Sequence, residues 1–263
     1  MMNNPELSVL IPSYNYSEGI RRLLYNSDLV NYLNKIEILI YDNSTTNDVE
    51  KLIEKFNTTN NNIIIYRKIL NTTPVQNWNS LINDSKGKYY ILIHHDEFFF
   101  DKNFFKNFFS FDFKNYDLIL FNCKIIKNRF VCNHFPTRIS KYLISKPEII
   151  LNINFLGPTG VFCIKKNKKS FFDTNLKWFV DIENYFRIIK NTDSIFFHKN
   201  SIGSTIDYSG SITKSISEEI KSLKISERNY ITKKHSYTKF YKFNVMLILI
   251  IKNVYNLLTK KFI

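Results

Sequence analysis

The 263-residue sequence contains no alanine, and it has only six glycines, six prolines, three cysteines and two tryptophans. Asn, Ile, Lys, Phe and Tyr take the vacated share. Their codons are A/T-rich and those of Ala are G/C-rich, so much of the composition reflects base bias and carries little functional signal. Cys123, Cys132 and Cys163 are odd in number, and their spacing fits no metal motif. They are expected to be reduced, buried thiols. No apolar run reaches the roughly 18–20 residues that cross a bilayer. The N-terminus, MMNNPELSVLIPSYN, lacks a basic stretch followed by an apolar one, so no signal peptide is expected. No Gly-x-Ser-x-Gly, paired Cys/His or Gly-rich Walker loop occurs, which argues against covalent nucleophilic catalysis and a P-loop nucleotidase.

The sequence is 44% hydrophobic and 23% charged, an ordinary globular balance, with a high aromatic share of 16%. The net charge of +14 is uneven. Residues 214–263 hold eleven Lys and Arg against three Asp and Glu, so +8 of the total lies in the last fifth. The basic residues of residues 1–213 show no interleaved aromatic platform, so nucleic acid is not the expected partner. A basic tail points more simply to an anionic surface.

Hydrophobic periodicity predicts strands at 7–11, 36–41, 63–66 and 89–93, separated by helices at 18–33, 47–56 and 74–85. This alternation implies parallel strands with right-handed crossovers and a ligand crevice at their carboxyl ends. The polar clusters Ser13-Tyr14-Asn15, Asp42-Asn43-Ser44 and His94-His95-Asp96-Glu97 should converge there. Farther on, the pattern predicts a strand at 117–121, a hairpin over 124–135 turning near Asn128, a helix start at 145–148 and a strand at 161–164. A helix at 177–190, a strand at 194–198, a loop over 203–213 and helices near 216–235 and 242–260 complete the reading.

Two adjacent acids after an apolar strand repel each other and lose hydration. A divalent cation bridging to phosphate, Mn(II) or Mg(II), is the economical compensation; a solvated acidic loop is the alternative. Adjacent histidines point in different directions and no third ligand is evident, so zinc is not expected.

Five segments in order resemble the inverting family 2 glycosyltransferases of the GT-A fold. SVLIPSYN is similar to the family's first strand and its P-x-Y-N turn. IEILIYDNS is similar to its hydrophobic strand ending in Asp-Asp/Asn-Gly/Ser-Ser. NTTPVQNWNSLINDSKG matches at Asn71, Asn79 and Gly87, with Thr73 and Ser85 where Gly and Ala are usual. KYYILIHHDE resembles the strand that leads to the Asp-x-Asp motif. VDIENYFR resembles the catalytic E-D…R helix. The first acid of Asp-x-Asp is replaced by His94, and the first of the E-D pair by Val180. The resemblance covers about residues 7–205.

The resemblance implies an α/β fold with a Rossmann-like mixed sheet of the GT-A type. It implies a glycosyltransferase domain over 1–213, followed by a basic, amphipathic helical extension over 214–263. The activity implied is hexosyl transfer from a nucleotide-sugar, a UDP-sugar first, to a glycan or lipid-linked acceptor of polysaccharide or lipooligosaccharide synthesis. Pro12, Tyr14, Asn15, Asp42, Asn79, His95 and Asp96 would line the donor nucleotide site. Tyr14 would stack on the base, or else is a packed tyrosine. Asp42 would accept from uracil or ribose, or else caps its own turn. Asp96 would hold Mn(II) or Mg(II). Asp181 would be the general base, or else only a favourable acid at a helix start. Glu183 and Arg187 read as a surface ion pair. Trp178 is a sugar platform or core packing, and His198 a third metal ligand or a structural histidine. The alternative function is a catalytically silent relative that binds membrane or glycan as a scaffold.

The tail carries seven apolar residues at 245–251, then Val254, Tyr255, Leu257 and Leu258, with a polar stripe through Lys252, Asn256 and Thr259. This helix, too short to span, is expected to lie in a membrane interface with its lysines toward anionic headgroups, or to dock on the catalytic domain or a second subunit. The expected location is cytoplasmic, with peripheral contact on the inner face of the plasma membrane through 240–263.

Overall fold

A computed structural model of the chain describes residues 5–25, 27–60, 63–127, 130–205, 220–236 and 242–262. Its centre is four parallel strands: β1 (Leu7–Ser13), β2 (Ile36–Asp42), β3 (Ile64–Lys68) and β4 (Tyr89–Leu92), in the order β4-β1-β2-β3. β1, β2 and β4 are buried at every position, as strands covered on both faces must be. The crossovers are α1 (Ser17–Tyr25), α2 (Asp48–Thr59) and α3 (Pro74–Asp84). α2 turns Val49, Leu52, Ile53 and Phe56 inward, a one-sided helical stripe. α3 begins on a capping box: Thr73 accepts from the Gln76 amide, and the Gln76 side chain accepts from the Thr73 amide at 3.0 Å. The threonine that departs from the family pattern is thus used as a cap.

The second half extends the sheet with mixed polarity. The added strands are β5 (Glu97–Phe99), β6 (Leu118–Lys127), β7 (Phe130–Asn133), β8 (Phe162–Lys165) and β9 (Ile195–Thr205). β8 runs antiparallel between β4 and β6; β9 lies parallel to β6 and antiparallel to β5. The helices here are α4 (Phe104–Phe109), α5 (Thr137–Leu143) and α6 (Val180–Lys190). α7 (Ile220–Lys234), α8 (Lys242–Thr259) and the short β10 (Lys261–Phe262), which adds to the free edge of β7, follow.

Several expectations on element bounds shift. The helix expected over 18–33 stops at Tyr25, and a 3-10 turn at Leu29–Tyr32 follows. Asp28 explains the break: both its oxygens turn away to accept from the Phe105 and Lys106 amides at 2.8 Å, starting α4. α4 was not expected at all, because its run of phenylalanines shows no polar face to reveal a period. β9 continues through Gly203 to Thr205, where a loop was expected. The expected turn at Asn128, the rest of that loop and the 213/214 domain boundary lie outside the described residues. Cys123 and Cys163 are buried, Cys132 is half-buried, and all three are free.

α1 lies against the end of β4 so closely that a Cβ on Gly19 would sit 2.0 Å from the His95 carbonyl oxygen. The obstacle is backbone and cannot swing aside. Gly19→Ala is therefore expected to destabilise the fold by about 1–3 kcal/mol, a fall of ~3–10 °C in a calorimetric Tm.

Candidate glycosyl-transfer site

The carboxyl ends of β1, β2 and β4 open on one crevice. At the end of β1, the Pro12 carbonyl accepts from the His95 ring, and the Tyr14 ring is 51% exposed. Asn15 sits in the left-handed region at φ 49°, which asparagine tolerates. Its amide donates to Ser44 Oγ at 2.7 Å, and its Oδ1 accepts from the Thr45 amide at 2.9 Å, tying the β1 turn to the β2 turn. Asp42 is fully buried at the end of β2. Its Oδ1 accepts from the Ser44 amide at 3.1 Å and from the Ser44 hydroxyl. Its Oδ2 accepts from the Tyr66 hydroxyl at 2.9 Å and lies 3.8 Å from Lys68 Nζ.

His94, His95 and Asp96 are half-buried just past β4. The His94 ring lies on Trp78, with centroids 4.7 Å apart, and the His95 ring meets Tyr16 edge-on at 5.5 Å. Burial lowers the proton affinity of both imidazoles, His94 to about 4, so both rings are neutral at neutral pH. Glu97 parts from its neighbour: it turns inward and is buried. Its Oε2 accepts from the Gly160 amide at 2.7 Å and its Oε1 from the Thr159 hydroxyl at 3.2 Å. A Cβ on Gly160 would lie 2.4 Å from that oxygen, so any other residue there would have to push the Glu97 carboxyl aside. Burial, and next the Asp96 charge, raise the Glu97 carboxyl well above the usual range.

Ligand atoms of His94, Asp96 and Glu97 lie within 4.8 Å of one another, and His94 Nε2 is buried with no hydrogen-bond partner. An imidazole with two carboxyls is a donor set that a borderline-hard cation such as Mn(II) accepts; Mg(II), which prefers oxygen alone, fits less well. Asp181 faces the same crevice from the first turn of α6. It is half-buried, and its Oδ1 has no partner among the described residues. Burial, then the Asp96 charge, push its carboxyl up to about 6.

The family model described as glycosyl transferase family 2 matches residues 8–175. The chain belongs to this family. No curated protein sequence matches the transferase. Among solved structures, it is similar to TarS residues 1–349 of S. aureus in complex with UDP-GlcNAc: 17% identity, TM-score 0.67, over 93% of this chain and 70% of that one. It is also similar to a mannosyltransferase of Pyrobaculum calidifontis in complex with GDP-Man and Mn2+: 12% identity, TM-score 0.56, over 97% and 88%. GalNAc-T7 with UDP, GalNAc and Mn2+ aligns at 14% identity and TM-score 0.58, over 80% of this chain and 45% of that one. The fold is that of the GT-A glycosyltransferases.

Of the residues expected at the donor site, Pro12 meets the His95 ring, and Asp96 and Asp42 lie near enough to raise its proton affinity. Tyr14 and Asn15 border them. Asn79 instead clamps the Phe172 backbone, donating to its carbonyl at 2.9 Å and accepting from its amide at 2.7 Å. Phe172 packs on Trp78, and Trp78 on His94, so Asn79 reaches the site only through that stack. His198 is buried among Phe108, Phe111, Phe121 and Phe196, with Nδ1 accepting from the Asn200 amide at 3.1 Å: a structural histidine. Trp178 packs against the core. Glu183 and Arg187 are not a surface pair: Glu183 is fully buried, and Arg187 Nε donates to it at 2.9 Å.

Four residues at this crevice, Arg22, Thr159, Gly160 and His94, were not among those assigned a binding or catalytic role from the sequence. Arg22 donates to the Asp96 carbonyl at 3.3 Å and to Thr205 Oγ1 at 2.8 Å, under the Phe98 ring. Gly160 and Thr159 hold Glu97. His94 was set aside as a ligand. Each works by side-chain direction or long-range contact, which spacing does not report.

Asp181 binds a proton more readily in the folded than in the unfolded chain. Between the ordinary value of 3.8 and about 6, the folded state holds the extra proton, so stability falls as pH rises through this window. Asp181→Asn is expected to be roughly 1–3 kcal/mol more stable than the parent at pH 8, with the gap closing by pH 4 in denaturant titrations. Equal stability at pH 8 would contradict the burial of a charged Asp181.

Proposed function

We propose that the protein transfers a hexosyl group from a nucleotide-sugar, first among them a UDP-sugar, to a hydroxyl of a glycan or lipid-linked acceptor, with inversion. The observation that carries this reading is Asp181: a carboxyl of raised proton affinity, one oxygen unpartnered, beside Asp96 at the carboxyl ends of the parallel strands. The acceptor hydroxyl gives its proton to Asp181 as its oxygen bonds to the anomeric carbon from the face opposite the diphosphate. The bond from that carbon to the diphosphate oxygen breaks, and the nucleoside diphosphate leaves. Asp96, with His94 and Glu97 at hand, would hold a divalent cation, which would supply charge neutralisation of the leaving diphosphate. Positioning and electrostatics provide the acceleration.

On the nucleotide side, the exposed Tyr14 ring offers a stacking face. Asp42 already has Ser44, Tyr66 and Lys68, so a contact to base or ribose would compete with these partners. His95 braces Pro12 against the crevice. UDP is favoured because TarS and GalNAc-T7 hold UDP or a UDP-sugar, while the mannosyltransferase holds GDP-Man. Surface polysaccharide or lipooligosaccharide synthesis is the setting proposed.

Thermal unfolding with UDP, GDP, CDP and dTDP, each with and without Mn(II), tests the donor site without an acceptor. UDP with Mn(II) at a hundredfold excess over Kd should add about 2.7 kcal/mol, and Asp96→Ala should abolish the added stability. No stabilisation by any of the four nucleotides would overturn the reading.

The acceptor side includes the tail. Among the described residues, no helix is long and apolar enough to cross a membrane. α8, however, is mounted inside out. Its polar stripe faces β7: Thr259 Oγ1 accepts from the Asn133 amide at 3.3 Å, and the Asn133 side chain donates to the Tyr255 hydroxyl at 3.1 Å. Lys252 is drawn in as well, and burial lowers its proton affinity. It does not point to headgroups, which corrects the expected orientation. Met246, Leu249, Ile250, Val254, Leu257 and Leu258 face outward, the last two 74% and 79% exposed, with Lys260 and Lys261 exposed beyond them. We propose that this face rests on an anionic lipid surface that presents the acceptor. The chain should co-sediment with phosphatidylglycerol-containing vesicles. Leu257→Glu with Leu258→Glu should weaken partitioning at least ~10-fold, because two buried leucines contribute about 3 kcal/mol or more. Equal partitioning of the two proteins would exclude α8 as the contact.

A further inference from the structure

The turn that delivers Asp181 is held from outside its own helix. α6 follows Phe179, which provides no side-chain cap. Glu227, from α7, reaches in instead. Its Oε1 accepts from the Lys177 amide at 2.7 Å, and its Oε2 accepts from the Trp178 amide at 3.0 Å and the Phe179 amide at 2.9 Å. Three successive N–H groups converge on one carboxylate at the positive end of α6. Glu227 is 4% exposed.

α7 has little else to bury. Glu227 and Ile231 are its only buried residues. The rest of its hold is polar and aimed at the same region. Lys234 Nζ donates to Asp173 Oδ2 at 2.6 Å and to Glu183 Oε1 at 2.8 Å, and His235 Nε2 lies 2.9 Å from Glu183 Oε1. The Tyr230 hydroxyl donates to Asp173 at 2.8 Å, and Lys224 sits 4.3 Å above the Trp178 ring. Partly exposed ion pairs add little individually. A buried carboxylate on three amides is the strong member of the set. A helix that buries one isoleucine is poorly explained by stability alone. Its contacts gather on the turn before Asp181 and on Glu183, two residues after it.

We propose that Glu227 is a positioning residue for glycosyl transfer: by fixing the 177–179 turn it holds Asp181 opposite Asp96, and α7 is thereby part of the catalytic unit. The proposal rests on the transferase reading above for its effect on turnover, and on geometry alone for its effect on the turn. Misplacing a reacting group by about 1 Å can cost on the order of 100-fold in rate.

The test uses the full chain and Glu227→Gln, which keeps the size and removes the charge. Glu227→Asp, which keeps the charge and shortens the reach, is read in the same way if the glutamine variant does not fold. Three quantities are measured: UDP affinity with Mn(II), release of UDP from whichever of UDP-GlcNAc, UDP-GalNAc and UDP-glucose the parent turns over, and amide hydrogen exchange over residues 177–185. The expected result is UDP affinity and donor KM within twofold of the parent, kcat lowered ~10- to 100-fold, and exchange over 177–185 accelerated at least ~10-fold. A variant that loses thermal stability but keeps kcat within twofold, or whose UDP affinity falls as far as its kcat, overturns the proposal. If the parent itself binds no UDP and releases none, the transferase reading has failed separately. Exchange over 177–185 then decides alone whether Glu227 holds the turn, and unchanged exchange overturns that.

Discussion

Three carboxyl groups share one half-buried crevice, and the local structure is arranged around keeping them there. Asp96, Glu97 and Asp181 repel one another and all lose hydration. Each is handled differently. Glu97 turns inward and meets a backbone amide and a hydroxyl, and burial raises its proton affinity well above the usual range. Asp181 remains half-buried with one oxygen unpartnered and a proton affinity near neutrality. Asp96 stays half-buried in the crevice where a cation can reach it, its backbone carbonyl held by Arg22. Two neutral imidazoles stand beside it. Equal carboxyls thus acquire distinct tasks through burial and neighbours rather than through residue type.

The crevice depends in turn on close packing behind it. Gly19 lets α1 touch the His95 carbonyl, and Gly160 lets the 159–161 turn touch Glu97. The stack of Asn79, Phe172, Trp78 and His94 fixes one wall over a long sequence separation. The wall that carries Asp181 is fixed by α7. In this transferase the helices past residue 213 serve two sides of the molecule: α7 braces the site, while α8 docks by its polar stripe and turns its apolar face outward.

Much of the catalytic half was legible in the sequence. The strands β1, β2 and β4 were readable because parallel strands buried on both faces appear as largely apolar runs, and α2 shows its inner stripe at helical spacing. The convergence of the Ser13, Asp42 and His94 clusters followed from that topology. The polar role of Asn79 was less legible: its motif position suggested the nucleotide, and its amide serves Phe172. The buried state of Glu183 was hidden for a related reason. Glu183 and Arg187 have the spacing of a surface pair, and the covering residues, Lys234 and His235, come from about 50 positions away.

What the sequence determined by itself is the order of the first four strands and the helices between them, the family, and the short list of acids that can carry chemistry. Local periodicity and turn chemistry specify those without reference to distant residues. Tertiary structure decided which acid turns inward, which face of α8 turns outward, and that Glu227 holds the turn before the helix of Asp181. Burial, hydrogen-bond partners and side-chain direction are properties of the assembled chain, and each of these outcomes is set by groups that the sequence holds far apart.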